Sequence, residues 1–429
     1  MNAPAHTVDA LVIGAGPTGT VAASMLRQAG HSVRIVERER FPRFQIGESL
    51  LPRCMEALDA AGFLPALKAQ GFQEKTGAKF LRGAEVCDFN FGNAFSRGWE
   101  WTWQVPRADF DSTLASEVQK MGVPIDFETE VTGVTFDDER DAQGGRASTT
   151  TVREKDGTVS TIRARFLVDA SGYGRVLPKL FGLDKVSGQQ PRKARFAHLS
   201  DPRRSEADEP NRIQIISHRV PGVWAWVIPF STGITSVGFV GKPEFFAGYQ
   251  EADLEAQYRT MLADEVNTAR RFADAEIHLG PRELAGWSVT TETFFGDGFV
   301  LAGNATEFLD PIFSSGVTLA TTSGHRAGVL AARQLSGERI DWQKEYVDPT
   351  MLGVDTFRIY VDAWYAGVLE RIFYAPDPDP EVKRRICSVL AGYVWDLENP
   401  YVKKGSRALA ALDERIRSEA AQAASAVSG

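Results

Sequence analysis

Ala10-Leu11-Val12-Ile13-Gly14-Ala15-Gly16-Pro17-Thr18-Gly19 decides the fold of this 429-residue chain. Its four apolar residues make a run of buried-strand type, and the glycines end it at once. Val21-Ala22-Ala23-Ser24-Met25-Leu26 then starts a helix that stops at Gly30, and Ser32-Val33-Arg34-Ile35-Val36 reads as a second strand ending in Glu37. This strand–turn–helix–strand setting is what gives a Gly-x-Gly-x-x-Gly turn its meaning. Gly14 permits the tight turn, Gly16 lets the backbone approach a pyrophosphate, and Gly19 lets the helix pack on the strand. The helix N-terminus faces the negative charge. Glu37, roughly 20 residues after the glycines, is placed to accept a hydrogen bond from a ribose hydroxyl. A Rossmann-type dinucleotide site is therefore expected at the N-terminus.

The rest of the chain fits a soluble enzyme. It is 43% hydrophobic and 24% charged, an ordinary globular balance, and long enough for two or three interlocked units. A formal net charge of −8 argues against a nucleic-acid backbone binder. Cys54, Cys87 and Cys387 lie far apart and show neither a disulfide framework nor metal-ligand spacing. With histidines scattered and no His-x-x-x-His pair, no metal site is expected. The apolar residues 10–13 are too few for a signal peptide or a membrane span, so no stable membrane insertion is expected and the reading is cytoplasmic.

Val131 to Val168 holds three strand patterns broken by the polar loop Asp137–Arg146 and by Asp156-Gly157, a hairpin signal. An antiparallel meander is expected there. Residues 195–285 alternate strand patterns with one polar helix near Glu251–Ala275. From about 345 the chain turns helical and aromatic (Phe357, Tyr360, Trp364, Tyr365, Phe373, Tyr374), with a stop at Pro376–Pro380. Those aromatics read as core packing, with lining of a substrate cavity as the alternative. Ser418–Gly429 is small and polar and is expected to fray.

Three more segments distinguish between dinucleotides. Arg107 sits before a helix in Val105-Pro106-Arg107-Ala108-Asp109-Phe110-Asp111. Asp169-Ala170-Ser171-Gly172 ends the strand Phe166-Leu167-Val168. Gly298-Phe299-Val300-Leu301-Ala302-Gly303-Asn304-Ala305 ends another and leads to Asp310-Pro311. Their order and separation resemble the FAD-dependent monooxygenases, halogenases and reductases related to para-hydroxybenzoate hydroxylase. The resemblance implies FAD, contacted by Gly14, Gly16, Gly19, Glu37, Arg107, Asp169, Asn304 and Pro311. Asn304 stands where that family usually has an Asp holding the ribityl chain, and an amide can still hydrogen-bond a hydroxyl.

Trp224-Ala225-Trp226-Val227-Ile228-Pro229 matches the WxWxIP motif of flavin-dependent halogenases, and Phe308-Leu309-Asp310-Pro311-Ile312-Phe313-Ser314-Ser315-Gly316 resembles their FxxPxxSxG motif. Lys75, in Lys75-Thr76-Gly77-Ala78-Lys79-Phe80, falls where those enzymes carry an essential lysine. Each segment also has a plainer reading. Alternation alone puts Trp224, Trp226 and Ile228 on one face of a strand, where large apolar residues fill cores. Pro-x-x-Ser-x-Gly can simply hold a flavin edge, and a lysine in a polar stretch is commonly surface charge. Upstream, Trp101-Thr102-Trp103 repeats the spacing but runs into Arg107 and reads as structural.

The resemblance implies an FAD-dependent halogenase. Amides of Ser315 and Gly316 would hold chloride or bromide at a helix start. Trp224 and Trp226 would wall the flavin off from the substrate, and Lys75 would hydrogen-bond hypohalous acid or form a haloamine, and so deliver halogen to one ring position. Phe313 stands where enzymes halogenating free tryptophan have a glutamate. That departure implies a small phenol- or pyrrole-type substrate, free or on an acyl or peptidyl carrier protein, with reduced FAD supplied by a separate flavin reductase. Two alternatives stay open: an aromatic monooxygenase or geranylgeranyl-reductase-like enzyme lacking the halide step, and a flavoprotein that turns nothing over.

The expected fold is α/β (α+β), a Rossmann-type FAD-binding domain interleaved with an antiparallel-sheet substrate domain. Residues 1–80, 105–194 and 286–345 would form the FAD-binding domain. Residues 81–104 would supply substrate-domain strands, 195–285 the substrate domain, and 346–429 a helical C-terminal region.

Overall fold

His6–Ile13 forms strand β1, and its alternate residues feed two different cores. Ala10 and Val12 pack among the residues of helix α1 (Pro17–Gln28), whereas Leu11 and Ile13 pack against Val131, Val152 and Leu177 on the opposite face. Both faces are covered, which is why the strand reads as an unbroken apolar run. The computed structural model describes residues 6–428 except 143, 186–187, 205–208, 210, 273 and 288.

β1 is parallel to strand β2 (Val33–Val36) on one side and to Val159–Asp169 on the other. The sheet runs in the order 295–296, 299–301, 159–169, β1, β2, 125–126. Thr129–Phe136 and Ser148–Glu154 extend it as the expected antiparallel meander. Its hairpin closes at Asp156-Gly157, where Gly157 takes φ +89° and an Asp156 carboxylate oxygen accepts the Thr158 amide at 2.8 Å.

The second sheet has the order 277–285, 193–200, 234–241, 224–229, 212–217, 77–82, 85–90. Neighbours are antiparallel except Arg212–Ser217 and Gly77–Arg82, which run parallel. In Trp224–Pro229 all six residues are buried. Trp224, Trp226 and Ile228 share a face with Phe196, while Ala225 and Val227 face Tyr258, Met261 and Leu262 of the Leu254–Asp264 helix.

Two local expectations need correction. The single polar helix expected near Glu251–Ala275 is two helices, Leu254–Asp264 and Val266–Phe272. Glu265 breaks them by turning extended, and its carboxylate accepts the Asn267 amide at 3.1 Å, restarting the helix. The terminal stretch expected to fray is part of a helix, Ser406–Ser428. Its alanines are the strongest helix formers, and that preference prevails over the polar composition; Gly429 lies outside the described residues. Phe357, Tyr360, Trp364 and Phe373 are buried in one cluster with Phe80 and Phe89, as core. Among the described residues no helix is long and apolar enough to cross a membrane, and no cluster of His, Cys, Asp or Glu could hold a metal ion.

Candidate functional site

An open cleft begins at the Gly14–Thr18 turn and ends on the second sheet at Trp224, Trp226 and Ile228. At its mouth, Gly14 takes φ +100°, and a β-carbon there would sit 2.6 Å from the Ala170 carbonyl oxygen. A β-carbon at Gly19 would collide with the Gly14 carbonyl, so only glycine lets α1 close onto β1. Gly16 caps α1 without any side-chain hydrogen bond, leaving first-turn amides for an anion.

Two arginines add positive charge to this wall. Arg107 pairs with Asp111 through two bonds of 2.9 and 3.0 Å and donates to the Ile46 carbonyl at 2.9 Å. Arg43 lies 3.2 Å from the same Asp111 carboxylate and also lines the cleft. Glu37 lines it too, while accepting the Ala15 amide at 2.8 Å and the Glu39 amide at 2.9 Å. Its carboxylate therefore ties the glycine turn to β2 and keeps lone pairs for a ribose. Asn304 and Pro311 line the cleft further in. This cradle fits FAD: a bare helix start and paired arginines for the pyrophosphate, a carboxylate for the ribose, an amide for the ribityl chain.

Asp169 differs from its expected place. It is fully buried outside the cleft and accepts the amides of Ser171 at 2.9 Å and Leu177 at 2.7 Å. Its neighbours Ala170, Ser171, Gly172 and Tyr173 form the wall instead. Asp169 shapes that turn rather than reaching into the cleft.

The Pro311–Gly316 segment is a single 3-10 turn running into a long helix, Ser315–Leu335. Asp310 caps the turn by accepting the Ile312 amide at 3.2 Å. Ser314 adopts the left-handed region, φ 55°, and no side chain caps the helix behind it. Ser314 and Gly316 line the cleft. Ser315, expected beside Gly316 as halide contact, is buried outside the lining, because the first helical turn rotates it towards the core. Phe313 packs against Tyr360 and Trp364, with ring centroids 6.2 Å away in both cases.

Trp224 and Trp226 stand 5.9 Å apart on the cleft wall. The Trp226 indole donates to Ser236 at 3.0 Å. Trp224 donates to the Tyr365 hydroxyl at 2.9 Å, which donates in turn to Asp310 at 2.9 Å. The Arg192 guanidinium stacks 3.3 Å over the Tyr365 ring. Burial pushes the Asp310 carboxyl up to about 6, against the opposing hydrogen bond from Tyr365.

Lys75 is buried, not on the surface as its polar surroundings suggest. Its Nζ donates to the Ser49 hydroxyl at 2.8 Å and the Leu50 carbonyl at 2.7 Å, and lies 5.5 Å from the Phe91 ring centroid. Loss of water pulls its ammonium down to about 7. Ser49, not Lys75, forms the cleft wall at this point.

The segment Phe41–Leu50 is the part of the site that sequence reasoning missed. It supplies Arg43, Glu48 and Ser49 to the cleft without helix or strand periodicity to announce them. The one local sign is Gly47, at φ +105°, where a β-carbon would crowd Arg107 at 3.0 Å.

The FAD binding domain family model matches residues 7–345. The chain is similar to a flavoprotein/dehydrogenase from Cytophaga hutchinsonii, at 53% identity and a TM-score of 0.93, covering 96% of this chain and 100% of that one. It is similar to the 1H-pyrrole-2-carbonyl peptidyl-carrier-protein brominase of Pseudoalteromonas luteoviolacea (strain 2ta16), at 28% identity over 91% of this chain and 93% of that protein. A third relative is the tryptophan 2-halogenase of Chondromyces crocatus, 30% identical over 79% of this chain and 63% of that protein. With the family model spanning most of its length, the chain belongs to the FAD-binding-domain family.

Proposed function

We propose that this enzyme halogenates an electron-rich phenol- or pyrrole-type ring, with chloride or bromide as halogen source and FAD reduced by a separate flavin reductase. The observation that carries the reading is a buried lysine one hydroxyl away from a tryptophan-walled FAD cleft. Bound and reduced, FAD supplies the electrons with which oxygen and halide become hypohalous acid. The glycine turn, Arg43, Arg107 and Glu37 hold the cofactor's phosphates and ribose. The backbone at Ser314–Gly316 holds the halide at an uncapped helix start. Trp224 and Trp226 keep an aromatic ring off the flavin. The directing group is Lys75: near neutral pH its ammonium and amine forms coexist, so it can hydrogen-bond hypohalous acid and release it.

Phe313 sits in an aromatic box rather than beside a polar subsite, which fits a substrate without an amino-acid head group. A ring tethered to a peptidyl carrier protein is the finer form of this reading, supported by the name of the Pseudoalteromonas relative. Mass spectrometry checks it on a free phenol and on a carrier-loaded pyrrole, each with FAD, flavin reductase, NADH and bromide. A bromine isotope doublet on either is the expected outcome. One observation favours a monooxygenase or a double-bond reductase on the same scaffold: Ser49 stands between Lys75 and the cleft. A product heavier by one oxygen, with no bromine, would establish the monooxygenase.

A further inference from the structure

Glu48 precedes Ser49 on the cleft wall, and the residue is 2% exposed. One oxygen, Oε1, lies 2.5 Å from His198 Nε2. The other, Oε2, has no hydrogen-bond partner among the described residues. The Val105 amide donates to the Glu48 carbonyl at 2.7 Å, which pins the backbone, so the side chain is not placed by a loose loop. His198 belongs to Lys193–Ser200, on the face that carries Phe196, and Phe196 lies 5.9 Å from Trp226. Phe44 and Phe230 enclose the imidazole at 5.9 and 5.3 Å. The other charged groups nearby are turned elsewhere: Arg282 lies over Phe44, Arg107 donates to the Ile46 and Gly47 carbonyls, and Lys75 is engaged by Ser49 and Leu50. A buried carboxyl oxygen left without a donor is costly unless something visits it. No part of the cofactor cradle described above uses it.

We propose that Glu48, held by His198, is the base that removes the ring proton of the aromatic substrate during halogenation, a role that rests on the halogenase reading. Electrophilic substitution needs such a base. The ring carbon donates an electron pair to halogen and forms the carbon–halogen bond, while the oxygen–halogen bond of hypohalous acid breaks and its pair stays on oxygen. Lys75 lends the departing hydroxide a proton, and water leaves. The carbon–hydrogen bond then breaks, its pair restores the aromatic ring, and its proton goes to Glu48 Oε2. That proton balances the one lent by Lys75, so the sum is arene plus hypohalous acid giving aryl halide plus water. Ser49 links the two groups: it follows Glu48 in the chain on the cleft wall and accepts the hydrogen bond of Lys75 from behind that wall. Sharing of Oε1 with His198 fixes the carboxyl plane and leaves Oε2, buried and without a donor, as the oxygen free to take a proton.

The experiment compares bromination of resorcinol with that of ring-deuterated resorcinol by wild type, Glu48→Gln, Glu48→Asp and His198→Gln, each with FAD, flavin reductase, NADH and bromide. For wild type the ratio of turnover on the two substrates should be near one. In Glu48→Gln turnover should fall ten-fold or more and the ratio should rise above two, because proton loss becomes limiting. Glu48→Asp should recover part of the rate and lower the ratio, and His198→Gln should shift both in the direction of Glu48→Gln. A ratio that stays near one in Glu48→Gln overturns the proposal whatever the rate does. A Glu48→Gln protein that no longer retains FAD overturns it as well, by making Glu48 a cofactor ligand. Wild type that yields no brominated product fails the halogenase reading itself and takes the proposal with it.

Discussion

Lys75 concentrates the residue-scale argument. Desolvation brings its folded value down to about 7 from the ordinary 10.5, so from pH 7 to 10.5 the unfolded chain binds more protons than the folded one and stability rises with pH. Cys54, pushed up to about 12 by burial, opposes this above its unfolded value near 9, which leaves pH 7–9 as the clean window. A Lys75→Met variant should be more stable than wild type at pH 7, with the gap narrowing by about 1–3 kcal/mol towards pH 9 in denaturant titrations. Parallel stability curves would mean the amine carries no burial penalty. The lysine was legible because it stands a fixed short distance before a Lys-Phe pair in a family pattern. Glu48 and His198 were not: they lie far apart in the chain, and only the fold brings imidazole and carboxyl together.

At the scale of elements, β1, α1 and β2 were legible because each announces itself within a dozen residues. The glycine turn fixes how α1 leaves β1, and apolar runs of four mark strands covered on both faces. The pairing of Arg212–Ser217 with Gly77–Arg82 was not legible, since a parallel register between distant segments leaves no local trace. Nor was the packing of α1 on Ser315–Leu335. A β-carbon at Gly328 would sit 2.6 Å from the Ala22 carbonyl oxygen, and one at Gly324 would collide with that of Thr18. These close contacts seat the first turns of α1 on the middle of Ser315–Leu335, so each helix helps to place the other's uncapped start beside the cofactor cleft. Gly324→Ala should therefore cost about 1–3 kcal/mol by overpacking, and should weaken FAD binding by displacing the α1 N-terminus. Thermal unfolding with and without FAD, together with flavin titration, checks both effects. Unchanged stability would show that the helices part easily.

Across the whole molecule, the C-terminal helices reach the site through Tyr365. It joins Trp224 to Asp310, and so ties the tryptophan wall to the turn that leads into Ser314–Gly316. The sequence marked this region as helical and aromatic but assigned it no role, because the contact is made by one hydroxyl across elements far apart in the chain. Tyr365→Phe leaves a buried indole N–H unpaired and takes from the buried Asp310 carboxyl its hydrogen bond, leaving Arg192 at 3.9 Å as its charged partner, and should cost about 1–3 kcal/mol in a melt. A loss of regiochemistry should accompany it as Trp224 loosens; a variant with wild-type stability and one product isomer would argue against the link. The central claim, that halogen reaches substrate by way of Lys75, is tested most directly by mass spectrometry of a phenol incubated with FAD, flavin reductase, NADH, bromide and catalase, using wild type and Lys75→Ala side by side. A bromine isotope doublet from wild type that disappears with Lys75→Ala, while flavin binding persists, is the expected outcome. A doublet that survives the substitution, or a product gaining one oxygen equally in both proteins, would contradict it.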